Sequence, residues 1–144
     1  MKKIFFMASM ILLCTLSAVA QDRIITFDQL PQSSQTFITK YFSKDNISFV
    51  KIDKDALDFE YEVYFNNGNK VEFDKTGALK KVDCNHSKVP DGIVPAQVIT
   101  YISNNYPGVF VTEWCKKRTN WNAELSNGLD LYFNAQYQLI GIDD

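Results

Sequence analysis

Histidine is almost absent from this chain, and His86 is its only example. A histidine-rich metal site or a zinc site built on two cysteines and two histidines therefore cannot be assembled within one chain. A Ser-His-Asp triad would have to use the same His86, and no nucleophile motif accompanies it. His86 reads as a loop residue. An excess of basic residues is also missing. Lys2 and Lys3 belong to a leader described below, and without them 13 basic residues face 17 acidic ones, a balance near minus four. Nucleic acid, whose phosphates reward a basic face, is not an expected partner. The only long apolar run is at the start, so no later segment is expected to cross a bilayer.

That first segment has the pattern of a cleavable export signal. Lys2 and Lys3 are followed by apolar Ile4 to Leu16, and Ala18-Val19-Ala20 before Gln21 gives the small-residue cleavage site. A membrane anchor is the competing reading, but the run is about a dozen residues where a span needs about 20. Lipidation at Cys14 would ask for a small residue before it, and Leu13 stands there. The expected organisation is a removed leader at 1–20, a first unit at 21–84 and a second at 85–144. The mature chain, 124 residues once those 20 are removed, is long enough for one compact core and is expected to be periplasmic or secreted.

The division in two comes from an internal repeat. Leu30-Pro31, then Phe37-Ile38 and Tyr41-Phe42, returns as Val94-Pro95, Tyr101-Ile102 and Asn105-Tyr106. Tyr61-x-Val63-x-Phe65-x-Asn67-Gly68 is answered by Trp121-x-Ala123-x-Leu125-x-Asn127-Gly128, Val71-x-Phe73 by Leu131-x-Phe133, and Leu79-x-x-Val82-Asp83 by Leu139-x-x-Ile142-Asp143. The offset is 64 early and 60 late. Each copy reads as one helix followed by a four-stranded antiparallel meander, so the fold class expected is α+β in two tandem repeats forming one curved sheet with helices on one face.

In the first copy Thr26 and Gln29 resemble a capping box, and Phe37, Ile38, Tyr41 and Phe42 form a helical stripe ending near Ser43. Strands are expected at Ile47 to Asp53, Asp58 to Phe65, Lys70 to Asp74 and Ala78 to Val82, with the Asn67-Gly68 hairpin signal between the middle two. The second copy gives a helix near Ala96 to Tyr106 and strands near Val109 to Lys116, Asn120 to Ser126, Leu129 to Asn134 and Tyr137 to Ile142. Asn85 to Asp91 is the linker.

Alternation assigns Phe59, Tyr61, Val63, Phe65, Val71, Phe73, Trp121, Leu125, Leu131 and Phe133 to a core face. The opposite face carries Asp58, Glu60, Glu62, Tyr64, Glu72 and Asp74 in the first half, and Asn120, Asn122, Glu124, Asp130, Tyr132 and Asn134 in the second. Solubility alone explains such a face; a partner surface is the alternative.

The pattern Leu-Pro-x5-Phe-Ile, Asn-Gly before Val-x-Phe-Asp, Lys-x-Gly-x-Leu, Val-Asp-Cys and the later Glu-Leu-Ser-Asn-Gly-Leu-x-Leu-x-Phe resembles the PepSY-like, beta-lactamase-inhibitor-like periplasmic proteins. The resemblance spans the mature chain and implies helices on one side of a continuous antiparallel sheet with an open concave side. It carries over no inhibitory contact residue, and fold alone does not fix function.

Chemistry-bearing spacings are sparse. Asp53-x-Asp55-x-x-Asp58-x-Glu60 resembles a calcium loop, yet Asp58 stands where a twelve-residue EF-hand loop needs glycine. Glu60 and Glu62 share a face, but a glycosidase needs a walled cleft. No catalytic residue, resident metal or cofactor is expected. Cys84 and Cys115 are the only mature cysteines, and an oxidising compartment admits a disulfide between them. A meander in sequence order would hold them roughly 20 Å apart, against the 7 Å limit for bridged α-carbons, so free thiols are equally open.

Two functional readings follow. The first is a non-catalytic binding module for a periplasmic or cell-envelope protein, protein-binding or inhibitor-like as the resemblance implies, with Trp114, Lys116, Lys117, Arg118, Tyr64 and Tyr132 as interface candidates. A solubilising turn is the bland reading of the basic run. The second is a sensor or carrier of a small ligand or cation held by Glu60, Glu62 and Glu72 on the concave face.

Overall fold

The computed structural model describes residues 21–55 and 57–144. The expected leader, with Cys14, lies outside the described residues. The chain runs through β1 (Arg23–Ile25), a 3-10 turn, α1 (Gln32–Tyr41), a second such turn, β2 (Ile47–Lys54), β3 (Phe59–Phe65), β4 (Lys70–Asp74) and β5 (Leu79–Asp83). It continues with α2 (Ala96–Asn105), β6 (Val111–Lys117), β7 (Asn120–Leu125), β8 (Asp130–Phe133) and β9 (Leu139–Asp143).

This corrects the expected fold class. The molecule is mostly a single nine-stranded antiparallel sheet in the order β1 to β9, with two short helices, and not two helix-plus-meander repeats. One ladder adds a strand, and another carries the sheet across the two halves. β1, a strand not anticipated, pairs Arg23, Ile24 and Ile25 with Ile52, Lys51 and Val50 of β2. At the centre β5 pairs with β6 through Lys81–Cys115, Val82–Trp114 and Asp83–Glu113. Val82 and Trp114 are both buried there, so the apolar surface continues across the join instead of ending at it. The backbone groups that two separate meanders would leave at their facing edges are satisfied by this ladder.

Both helices cover the same side. Ile38 of α1 and Val98 and Ile102 of α2 are buried with Val63, Val71, Phe73, Val82, Trp114, Ala123, Leu125, Leu131 and Phe133 in one cluster. Phe37 meets Phe73 edge-on at 5.6 Å, and Tyr101 meets Phe133 in the same manner at 6.2 Å. The expected inward positions Phe59, Tyr61 and Trp121 pack on the rim of this cluster. Thr26 and Gln29 pair as expected, the Thr26 amide donating to Gln29 Oε1 at 2.9 Å.

The turn between β4 and β5 fixes α1 to the sheet. The Gly77 carbonyl accepts hydrogen bonds from Ser33 Oγ at 3.1 Å and from the buried Ser34 Oγ at 3.2 Å. Gly77 has φ +85°, and a Cβ there would stand 2.6 Å from Pro31 Cβ and closer still to Ser33 Oγ. Gly128, with φ +89°, has nothing within 4 Å of the same position. Gly128→Ala should therefore cost only the left-handed backbone penalty, about 1 kcal/mol, whereas Gly77→Ala adds a steric clash and should cost roughly 2–4 kcal/mol. Urea unfolding of the two variants checks this, and equal losses would contradict the docking role.

Candidate functional site

The helix-free face is built from the strand positions that alternate with the core. One cross-strand row runs Lys51, Glu62, Glu72, Lys81, Cys115, Asn122 and Tyr132. The three acids expected to hold a cation lie in this region, and each already has an ammonium beside it. Glu62 meets Lys51 through Oε2 at 2.9 Å and Lys70 through Oε1 at 3.0 Å, and Tyr64 Oη donates to Oε2 at 2.9 Å. Glu72 pairs with Lys70 at 2.6 Å. Glu60 is bonded to Lys80, which the β4–β5 bulge leaves unmatched in the ladder.

Electrostatics follow the geometry. Burial opposes ionisation of Glu62, but hydrogen bonds from Lys51, Lys70 and Tyr64 outweigh it and hold the carboxyl below its ordinary value. The Glu62 contact raises Lys51 in turn, and Lys70 is raised by Glu72 and Glu62 despite its burial. This network is a self-neutralised patch. Among the described residues no group of three or more His, Cys, Asp or Glu side chains is placed to hold a metal ion.

The interface candidates separate. Trp114 is 1% exposed and stacks on Trp121 with centroids 4.9 Å apart, so it is a core residue and not a surface anchor. Its position opposite Val82 turns it inward, away from the alternate positions of β6. Tyr64 stacks on Phe49 at 4.4 Å within the charged network, and Tyr132 lies in the same cross-strand row beside Gly141. Lys116, Lys117 and Arg118 are exposed at the β6 end. Together with Lys80, Lys81, Glu72 and Cys115 they line a basin of about 500 Å³. Lys81 is committed to Glu113 at 2.8 Å. Lys116 lies 5.8 Å from the Trp121 ring centroid. Among the described residues Lys116, Lys117 and Arg118 make no ion pair.

The two thiols are free. Cys84 is two positions beyond Val82 and belongs to the core cluster, while Cys115 is adjacent to Trp114 and faces the opposite side. Thiols on opposite sides of one sheet are not placed for the close β-carbon approach of a disulfide. Burial pushes the Cys84 thiol up to about 11 and raises Cys115 as well, so neither is poised as a nucleophile. The lysine partners were readable from strand parity, since Lys51, Lys70 and Lys81 alternate with core positions; which acid each would meet needed the ladder register.

The chain belongs to the family described as "Putative beta-lactamase-inhibitor-like, PepSY-like", matched over residues 59–141. A Bacteroides thetaiotaomicron protein described as a "putative calcium-regulated periplasmic protein" is 41% identical, with a TM-score of 0.82 over 85% of this chain and 97% of its own. A "putative periplasmic protein" of Bacteroides vulgatus is 36% identical with a TM-score of 0.82, covering 86% of this chain and 98% of that one. A second Bacteroides vulgatus protein, described as periplasmic and of unknown function, is 26% identical with a TM-score of 0.80 over 86% and 100%. No curated protein matches the chain. The periplasmic or secreted location expected from the sequence is that of these relatives, and no catalytic family is indicated. No helix among the described residues is long and apolar enough to cross a membrane.

Glu62→Gln removes the charge that Lys51 and Lys70 share and should cost about 1–3 kcal/mol at pH 7. Because the folded-state value of Glu62 is lowered, its contribution is present above the ordinary glutamate value and disappears as pH falls through the folded one. Urea titrations at pH 7 and pH 3 should show the gap between wild type and variant closing in acid; a gap independent of pH would mean that the pairs contribute nothing.

Proposed function

We propose that this chain is a non-catalytic periplasmic binding module that docks an acidic segment of a protein partner at the β5–β6 end of its helix-free face. The observation that supports this reading is the basin lined by Lys80, Lys81, Lys116, Lys117, Arg118 and Glu72, in which Lys80 and Lys81 are held by Glu60 and Glu113 while the other three cations make no ion pair. Elsewhere on the face lysines are matched by acids, so the field of the first half is cancelled locally. At the strand end Lys116, Lys117 and Arg118 make no ion pair among the described residues, although the charge of Lys116 reaches Asp74, on a chain whose overall charge is negative. Local excess of one sign steers an oppositely charged partner and fixes its orientation. Tyr132 and Tyr64 border the row leading to the basin and supply aromatic area at low entropic cost.

The test is affinity capture from a periplasmic extract with wild type and with a Lys116→Glu, Lys117→Glu, Arg118→Glu variant. These side chains are exposed and make no ion pair, and the Lys116 contact with Trp121 is long at 5.8 Å, so the variant should keep its midpoint within about 1 kcal/mol. Partner capture should fall at least tenfold and be lost at high salt for wild type. Undiminished, salt-independent capture by the charge-reversed variant would end this reading.

A second reading, a cation-responsive protein, is favoured by the description of the Bacteroides thetaiotaomicron relative as calcium-regulated. The acids Glu60, Glu62 and Glu72 are paired with lysines here, so calcium would have to displace ammonium groups or use other carboxylates of the face. In this reading calcium raises the thermal midpoint, since a ligand at a hundredfold its Kd adds about 2.7 kcal/mol to stability. A midpoint unchanged by millimolar calcium, with magnesium as the comparison, would remove it.

A further inference from the structure

On the opposite, helix-covered side lies a hollow of about 200 Å³ whose lining includes Val94, Ile99, Ile102 and Val111, with Asp91 and Gly108 at its margin. Its origin is visible by comparing the two helix starts, which match at an offset of 64 residues. The Gln29 amide bonds to the Thr26 carbonyl as the Ile93 amide bonds to that of Pro90, and Phe42 caps onto Ile38 as Tyr106 caps onto Ile102. At the first helix Phe27 packs on the core with the Lys44 ammonium 4.6 Å from its ring centroid. Gln35 then ties the turn down, donating from Nε2 to the Leu30 carbonyl at 2.9 Å and to the Asp28 carbonyl at 3.2 Å.

Each of these three residues is replaced at the second helix. Asp91 stands at the place of Phe27 and turns outward to Lys88 at 2.6 Å, its side chain 87% exposed. Gly108 stands at the place of Lys44, and Ile99, 38% exposed, at that of Gln35. The ring, the cation above it and the amide that closes the turn are all missing, while the apolar floor of Val94, Ile102 and Val111 is kept and buried. A cavity of about 150 Å³ lined by aliphatic side chains is enough to take up benzene.

We infer that this hollow receives one aromatic ring, the side chain of a phenylalanine or tyrosine carried on an extended segment of a protein partner. The first helix start supplies the pattern for that occupant: there the ring is delivered by Phe27, directly after extended Thr26 and the strand Arg23–Ile25. The Lys88–Asp91 pair at the rim offers a cation and an anion to the polar backbone of such a segment. This site is separate from the basic basin and does not depend on it; charge reversal at Lys116, Lys117 and Arg118 leaves it intact.

The experiment is a titration of the isotope-labelled mature protein, followed in amide correlation spectra, with N-acetylphenylalaninamide, N-acetylalaninamide and toluene. Saturable millimolar shifts at Val94, Ile99, Ile102 and Val111 with the phenylalanine amide, and none with the alanine amide, are expected. Asp91→Phe, which restores the chain's own ring at an exposed turn, should abolish those shifts, and Ile99→Gln should weaken binding at least tenfold. The inference is overturned by absent shifts, by equal shifts with the alanine amide, by binding of toluene without the amide, or by binding unchanged in both variants.

Discussion

The pairing of Val82 with Trp114 is the contact on which the rest of the sheet depends. It joins β5 to β6 and makes one apolar surface of what would otherwise be two, so that α1 and α2 share a cluster. A sheet buried on one side must be solvated on the other, and the same ladder sets both faces at once. With Val82 and Trp114 inward, Lys81, Cys115, Asp83 and Glu113 are forced outward. The alternation of ammonium and carboxylate groups on the helix-free face is thus a consequence of the core register, because slipping any strand by one residue would bury its charges.

Much of this was legible in the sequence. The periodicity of Tyr61, Val63 and Phe65, and of Trp121, Ala123 and Leu125, marks the strands and their inner face, and Asn-Gly pairs mark two hairpins. The mistaken step was to divide the sheet into two helix-plus-four-strand repeats, where the molecule is one nine-stranded sheet that begins with β1. Local patterns specify a strand and its hairpin neighbour, but the strand across β5 is supplied from beyond the linker, and nothing local announces it. β1 escaped for a related reason: three residues carry no period, and Arg23–Ile25 becomes a strand only because β2 offers an edge.

The site residues divide along the same line. Parity assigns Glu60, Glu62 and Glu72 to one face, but charge on a face says nothing of whether the charge is free. Lys70 lies between Glu62 and Glu72 only because β3 and β4 pair Glu62 with Glu72 and Tyr64 with Lys70. Trp114 was read from its neighbours in sequence, the basic run that follows it, when its alternation with Cys115 places it in the core. Adjacent strand residues point to opposite sides, so Trp114 and Lys117 cannot be one cluster despite their closeness in the chain.

Pairing of the lysines of the first half of the face with acids has a functional consequence. A surface on which every charge were unpaired would attract small ions and partners without discrimination, and would lose its field to salt within a Debye length of about 10 Å at 0.1 M. Here Lys51, Lys70 and Lys81 of the helix-free face are held by acids in partly buried ion pairs, so that network stiffens the sheet and contributes little long-range field. The exposed cations at the β6 end then stand on a rigid background, which favours recognition of a partner's charge pattern over bulk attraction. The hollow beside α2 follows the complementary logic: a preformed apolar floor, left open because Asp91 and Gly108 replace a ring and a cation, presents shape where the basin presents charge. One core register therefore produces two sites of different chemistry on opposite faces, and neither requires the other to move.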